Sequence, residues 1–398
     1  MSHADAHAGR HSHRMPLIRP MRSRDPGEVH RAATPLELLF DLCFVVAVSQ
    51  AAAKLHHGLG EGHVGHAIGF FSMVFFAIWW AWMNFTWFAS AYDSDDVPYR
   101  VGVLVQMAGV LVLAAGVPRA FDGNFAVVTL GYAIMRVSLI ALWLRAARDD
   151  AERRSVARRY ALGIVACEVG WIGLLALPAG GWLYGFAFLV VAELAVPLLA
   201  ERNTNTTWHP HHIAERYGCF TLLVLGESVL SATVAIQTVL DEGHLSFAIA
   251  STSLGGLLVF FSIWWLYFDQ PVHQMLVDKP AAFRWGYGHL VVFASLAAVG
   301  AGLSVTIDAA TGHGELSSLG AGATVAVPVS VFLLATWLLI VGPDHRSRLA
   351  APAFIGATVL VCLAAASPLP VLTIGLILTG LVIFTVTAFP ASRGHSHG

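Results

Sequence analysis

Charge is what this sequence has least of. Only 12% of its 398 residues are Asp, Glu, Lys or Arg, and 57% are hydrophobic, whereas a soluble domain carries about 25% charged residues. Lysine is almost missing: Lys54 and Lys279 stand against 21 arginines, a bias we assign to base composition. Cysteine is scarce too. Cys43, Cys167, Cys219 and Cys362 show neither zinc-site nor disulfide spacing and read as small buried hydrophobes. No nucleophile elbow, phosphate loop, HExxH or dinucleotide fingerprint occurs. Gly226-Glu227-Ser228 lacks the strand–turn–helix setting of a serine nucleophile. We therefore expect no enzyme, no cofactor and no dedicated metal site. The scattered arginines do not form a nucleic-acid surface. Residues 1–34 have no apolar core, so no cleavable signal peptide is expected.

What the chain has is long apolar runs, from residue 35 to the end. Runs of about 20 apolar residues mark membrane-spanning helices, and their continuity excludes a barrel, whose strands alternate in polarity. The prediction is an all-α polytopic membrane protein whose solvent is the lipid bilayer. Its twelve spans lie near 35–55, 67–90, 99–117, 125–146, 158–177, 182–200, 212–238, 246–268, 285–307, 318–341, 350–367 and 369–389. Polar tails flank them, 1–34 with His3, His7, His11 and His13, and 391–398 with His395 and His397, and both read as disordered. Counting Arg and Lys in the loops puts 20 basic residues, Arg216 among them, on one side. Lys54 and Arg119 fall on the other, and Arg136 is left inside a span. Both termini are thus expected to be cytoplasmic.

The chain also repeats itself. Phe75-Phe76-Ala77-Ile78-Trp79-Trp80 returns as Phe260-Phe261-Ser262-Ile263-Trp264-Trp265. Tyr99-Arg100 returns as Phe283-Arg284, and Ala141-Leu142-Trp143-Leu144 as Ala335-Thr336-Trp337-Leu338. Offsets stay between 184 and 194, which predicts a six-plus-six parallel repeat, 35–200 and 201–390.

Ionisable groups inside spans are the main functional candidates, because each is costly to bury. The stretch 212–231, HIAERYGCFTLLVLGESVLS, puts His212 and Arg216 one turn apart, with Glu215 beside them. Glu227 lies eleven residues after Arg216, about 20° from eclipsed on a helix, and Ser228 follows. Span one opens with Pro35, then Glu37 and Asp41 at i, i+4. The helix dipole accounts for Glu37 and less well for Asp41. We place Glu37, Asp41, His212, Glu215, Arg216, Glu227 and Ser228 along a path between the halves. Arg136, Glu168 and Glu193 sit near mid-depth as a second, buried network. One arginine cannot neutralise all these carboxylates, which require hydrogen bonds, a proton or a bound small cation, unless they are structural ion pairs locking helices together. In the loop 54–66, His56, His57, Glu61, His63 and His66 suit zinc by type, but its glycines argue against a preformed site. The tryptophans of 70–88 read as interface belts and lipid packing.

ATPLELLFDLCFVVAVSQ at 33–50 and HIAERYGCFTLLVLGESVL at 212–230 resemble the two signature stretches of the low-temperature-requirement A family of bacterial membrane proteins. The likeness rests on Glu37, Phe40, Asp41 and Phe44, then His212, Glu215, Arg216, Gly218, Gly226, Glu227 and Ser228. It implies a multi-pass protein of the bacterial inner membrane and supplies no substrate. Phe40-Asp41 is also faintly similar to the Phe-Ser-Asp motif of two-repeat endolysosomal potassium channels. Here the Ser is missing, and Glu37 stands where those channels have Arg. The expectation is a transporter or channel for a small solute, cation or proton. A stress-related scaffold or sensor with structural buried charges is the alternative.

Overall fold

Helix starts in this chain are written in short polar motifs. Thr34 caps the first helix: its Oγ1 accepts from the Glu37 N–H, and the Glu37 carboxylate accepts from the Thr34 N–H. Pro35 follows at the first helical position, where it has no N–H to leave unpaired. Two later helices open with Asp-x-Pro. Asp96 accepts from the Tyr99 N–H at 3.1 Å, and Asp278 from the Ala281 N–H at 2.7 Å. The computed structural model describes residues 17–25, 27–28, 31–241, 246–270, 272–276, 278–312, 314–341 and 350–388. The His-rich ends lie outside them.

Among the described residues the fold is all-α. The helices are α1 Pro35–Gly60, α2 Val64–Tyr92, α3 Val97–Phe121, α4 Ala126–Asp149, α5 Arg154–Leu174, α6 Ala179–Ala200, α7 Pro210–Asp241, α8 Phe247–Phe268, α9 Lys279–Thr311, α10 Ser318–Thr336, α11 Ala351–Ala364 and α12 Pro370–Ala388. Ten of them are long and apolar enough to cross a membrane. The other two are α5, which carries three arginines and Glu168 in 21 residues, and α11, which has 14 residues. Leu162, Phe188, Phe261 and Leu363 lie exposed on outward faces. Apolar surface of this kind suits lipid.

The helices pack in sequence, α3 on α4 and α5 on α4 and α6, with α9 on α10 and α11 on α10 and α12. α1 runs between α3 and α9, and α9 is the most enclosed span. One apolar cluster joins the whole bundle.

Two sequence expectations change. The loop 54–66 shrinks to residues 61–63, because α1 continues to Gly60 and α2 starts at Val64. His56 instead reaches Asp308 at 2.6 Å. The tail is expected from the sequence to be disordered to residue 34, but its described residues, 17–25, 27–28 and 31–34, lie as a strap over one end of the bundle. Met21 is fully buried, and its N–H donates to Asp149 at 2.9 Å. Arg31 donates to the last carbonyls of α2, at Ala89 and Ser90, a C-terminal cap of the kind that cations favour. We call this end the strap side.

Asp96 ties the strap down. Burial alone would push its carboxyl up. Hydrogen bonds from Arg145 (Nη1 to Oδ1, 2.9 Å) and from the Arg19 N–H (2.7 Å) override burial and hold it down at about 2. A carboxylate depressed in the folded state stabilises above its unfolded pKa, and that contribution fades as pH falls through the folded value. Hydrogen-exchange protection of the Arg19 amide should therefore hold from pH 7 to 4 and fall as pH approaches 2. Unchanged protection at pH 2 would show that Asp96 does not anchor the strap.

Candidate functional site

The first charge cluster joins α1 to α7. One-turn spacing aligns Glu37 with Asp41 on α1 and His212 with Arg216 on α7. Arg216 forks onto Asp41, Nη2 to Oδ1 at 2.6 Å and Nε to Oδ2 at 3.1 Å, while Nη1 lies 3.0 Å from Glu37 Oε1. His212 Nε2 sits 2.9 Å from the same Glu37 oxygen. Trp82 Nε1 on α2 donates to Asp41 Oδ1 at 2.7 Å. Each of these four ionisable residues is at most 1% exposed. Both Asp41 oxygens and both Glu37 oxygens have partners, while His212 Nδ1 and Arg216 Nη1 make no hydrogen bond, Nη1 only facing Glu37 as an ion pair.

The other residues expected on this path lie elsewhere. Glu215 is exposed. Glu227 is half-buried, and its carboxylate lies 3.5 Å from Ser231 Oγ. The angular match with Arg216 is real, but eleven residues also rise about 16 Å along the axis, which is too far for contact. Ser228 Oγ donates to Val224 and Leu296 carbonyls, stitching α7 to α9. Arg216, counted among the loop cations, is inside α7 and unexposed, because two carboxylates compensate it.

The second cluster joins α2, α4, α5 and α6. Glu193 on α6 collects four donors. Arg136 Nη2 lies at 3.0 Å, Trp80 Nε1 at 2.7 Å, Trp171 Nε1 at 3.0 Å and Tyr132 OH at 3.1 Å. Arg136 also hydrogen-bonds Tyr132 and stacks over its ring, 4.5 Å from the centroid. Glu168 on α5 is buried beside them, yet neither of its oxygens, nor Arg136 Nε or Nη1, has a hydrogen-bond partner. Four donors neutralise Glu193 well. Glu168 is the polar group here whose burial is uncompensated, and such groups are expensive.

Two cavities flank this second cluster. One, on the strap side, is lined by Trp87, Trp143, Tyr160, Trp208, Phe283 and Tyr287, with Glu201 and Lys279. The other, toward the far end, is aromatic, with Phe76, Phe125, Tyr132, Trp171, Trp182 and Phe186. The same four helices line both. Along α2, Phe76 faces the far cavity and Asn84 and Trp87 face the strap-side one, with Trp80 between. On α4 the order is Tyr132, Arg136, Trp143. On α5 it is Trp171, Glu168, Tyr160, and on α6 Phe186, Glu193, Pro197. On every helix the residue between the cavities belongs to the charge cluster. Tyr287 of α9 packs edge-on to Trp80 at 5.7 Å. Neither cavity is lined by Glu37, Asp41, His212 or Arg216.

Sequence reasoning missed Trp80, Trp82, Tyr132 and Trp171, which it assigned to lipid packing or passed over. The available signal was that a buried Trp or Tyr seeks a partner for its N–H or O–H, and carboxylates deep in spans supply one. Among the described residues, no three His, Cys, Asp or Glu side chains group as metal ligands.

The sequence matches the model of the bacterial low temperature requirement A protein (LtrA) over residues 32–388. It is 27% identical over 274 residues to an uncharacterized protein of Rhizobium meliloti (strain 1021), covering 64% of this chain and 65% of that relative. The match thus spans just under two thirds of the relative's own length. No solved structure matches significantly. A match over most of the chain, on a bundle with ten candidate spans, establishes that this multi-pass membrane protein belongs to the bacterial LtrA family.

Proposed function

We propose that this protein is a transporter or channel for a small solute or cation, with its path running through α2, α4, α5 and α6. The observation that carries this reading is the pair of cavities toward opposite ends of one helix group, divided by Trp80, Arg136, Glu168 and Glu193. An ionisable group inside a membrane bundle is costly and is by default a functional-site candidate. Breaking and remaking the contacts around Glu193 would join the far cavity to the strap-side one. On this reading all twelve helices cross the inner membrane as two parallel six-helix repeats, with both ends cytoplasmic. Recurring helix pairs support the repeat: α3 with α4 and α9 with α10, and α1 with α3 and α7 with α9. The Glu37–Asp41–His212–Arg216 cluster then anchors the second half to the first beside the path.

The test is purified protein in liposomes carrying an imposed proton, potassium or organic-cation gradient. Wild type should dissipate at least one gradient faster than empty liposomes. Glu193→Gln, folded by its elution profile, should lose about tenfold or more of that rate, equivalent to about 1.4 kcal/mol in the barrier. Loss of all flux in wild type, or equal flux in the variant, would overturn the reading. The alternative, a non-transporting scaffold, draws on the completeness of the α1–α7 cluster, whose carboxylate oxygens are all occupied.

A further inference from the structure

The strap-side cavity already holds a cation, and it belongs to the chain. Lys279, one of two lysines in 398 residues, opens α9. Its ammonium lies 3.2 Å from Glu201 Oε2, 2.9 Å from the Glu201 carbonyl and 2.9 Å from Asn205 Oδ1. It also sits over the Phe283 ring, 5.7 Å from the centroid. Glu201 is 5% exposed, and its other oxygen accepts from Tyr160 at 2.9 Å and Thr206 at 2.6 Å. A buried carboxylate at the edge of an aromatic wall is the chemistry that recognises ammonium groups.

We propose that the substrate class of this path is a lipophilic organic cation, such as an alkyl- or aryl-ammonium or phosphonium. Its charge takes the place of the Lys279 ammonium beside Glu201, and its apolar body lies against Trp87, Trp143, Trp208 and Tyr287. The inference rests on the transport reading above and names the substrate for that path. Three observations converge on positive charge. Seven aromatic side chains wall the strap-side cavity, and six more the far one. The carboxylates along the route, Glu168, Glu193 and Glu201, outnumber its cations, Arg136 and Lys279. Tyr132 and Trp171 line the far cavity while directing their polar atoms to Glu193, so a cation entering there meets ring faces backed by a carboxylate. An apolar solute would leave the Glu201 site without a role. An anion would be repelled by it.

Lys279 then acts as a tethered competitor, and this yields effects of opposite sign at the two ends of one ion pair. Glu201→Gln should weaken cation binding by about tenfold or more. Lys279→Met, which frees the carboxylate, should tighten it several-fold. A merely structural pair predicts that both changes act in the same direction.

The probes are tetraphenylphosphonium and tetraphenylborate, matched in shape and opposite in charge. Binding is read by tryptophan quenching on the purified full-length protein in detergent. Saturable phosphonium binding at least tenfold tighter than borate, with the two variants moving oppositely, would establish the site. Equal uptake of both probes, or no change in Glu201→Gln, would overturn it. Counterflow of phosphonium in liposomes separates the two claims. Binding without counterflow supports the cation site and counts against transport, whereas flux of another solute without phosphonium binding retains transport and rejects this substrate class.

Discussion

Replacing Arg216 with leucine is expected to prevent the protein from accumulating in the membrane, or to lower its unfolding midpoint by about 5 °C or more. The side chain is fully buried, and its fork holds Asp41 while Nη1 faces Glu37. Removing the one guanidinium leaves two carboxylates with only His212, Trp82 and the Thr34 cap for company. Losing one partner of a buried ion pair costs about 3–5 kcal/mol, a large part of a total stability of about 5–15 kcal/mol. Arg216→Lys should recover little, since an ammonium cannot fork onto both Asp41 oxygens while facing Glu37. The triple change Glu37→Gln, Asp41→Asn, Arg216→Met should recover most of the loss, because no uncompensated charge remains. Thermal unfolding in detergent, followed by circular dichroism, reads all three. An Arg216→Leu protein as stable as wild type would show that the cluster does not hold α1 to α7.

Much of this arrangement was legible before any coordinates. Apolar runs with so few charges allow little besides membrane helices, and each predicted span overlaps a helix of the bundle. The i, i+4 pairs Glu37/Asp41 and His212/Arg216 pointed to two faces, and the structure brings those faces together. Glu227 shares a helical angle with Arg216 but lies about 16 Å further along α7, half-buried beside Ser231. The loop 54–66 contracts because both helices continue past the apolar stretches that marked the spans. Gly58 lies where a Cβ would come 2.8 Å from the Cβ of Ala67, so that glycine serves the close approach of α2 to the end of α1. The cavities could not be read from the sequence at all. Each lining helix contributes only a few residues, and those on different helices become a wall only after packing. The partners of Glu193 were hidden for the same reason. Trp80 and Trp171 are 91 positions apart in the chain, and only the fold directs both indole N–H groups to one carboxylate.

Substituting alanine at Gly131 or Gly302 should destabilise the bundle, while the same change at Gly226 should not. At Gly131 an added Cβ would lie 2.4 Å from the Leu113 nitrogen and 2.6 Å from the Gly109 oxygen. At Gly302 it would lie 2.2 Å from the Thr324 oxygen. Those neighbours are backbone atoms of the facing helix, so relief requires α3 to part from α4, or α9 from α10. Overpacking typically costs about 1–3 kcal/mol, and rigid backbone on the far side places these two sites at the upper end. A Cβ at Gly226 meets nothing within 4 Å, and alanine there should gain up to about 1 kcal/mol through helix propensity. The two crossings are also related to each other. Gly109 opposes Gly131 across α3 and α4, and Gly302 opposes Thr324 across α9 and α10, both at an offset of 193 residues. That falls inside the range of offsets read from the sequence motifs. If the halves descend from one six-helix unit, Gly109→Ala, where a Cβ would lie 2.7 Å from the Gly131 oxygen, and its counterpart Gly302→Ala should cost similar amounts in thermal unfolding. A large loss at one site with none at the other would show that the two contacts do not carry equivalent loads, and would remove this support for duplication.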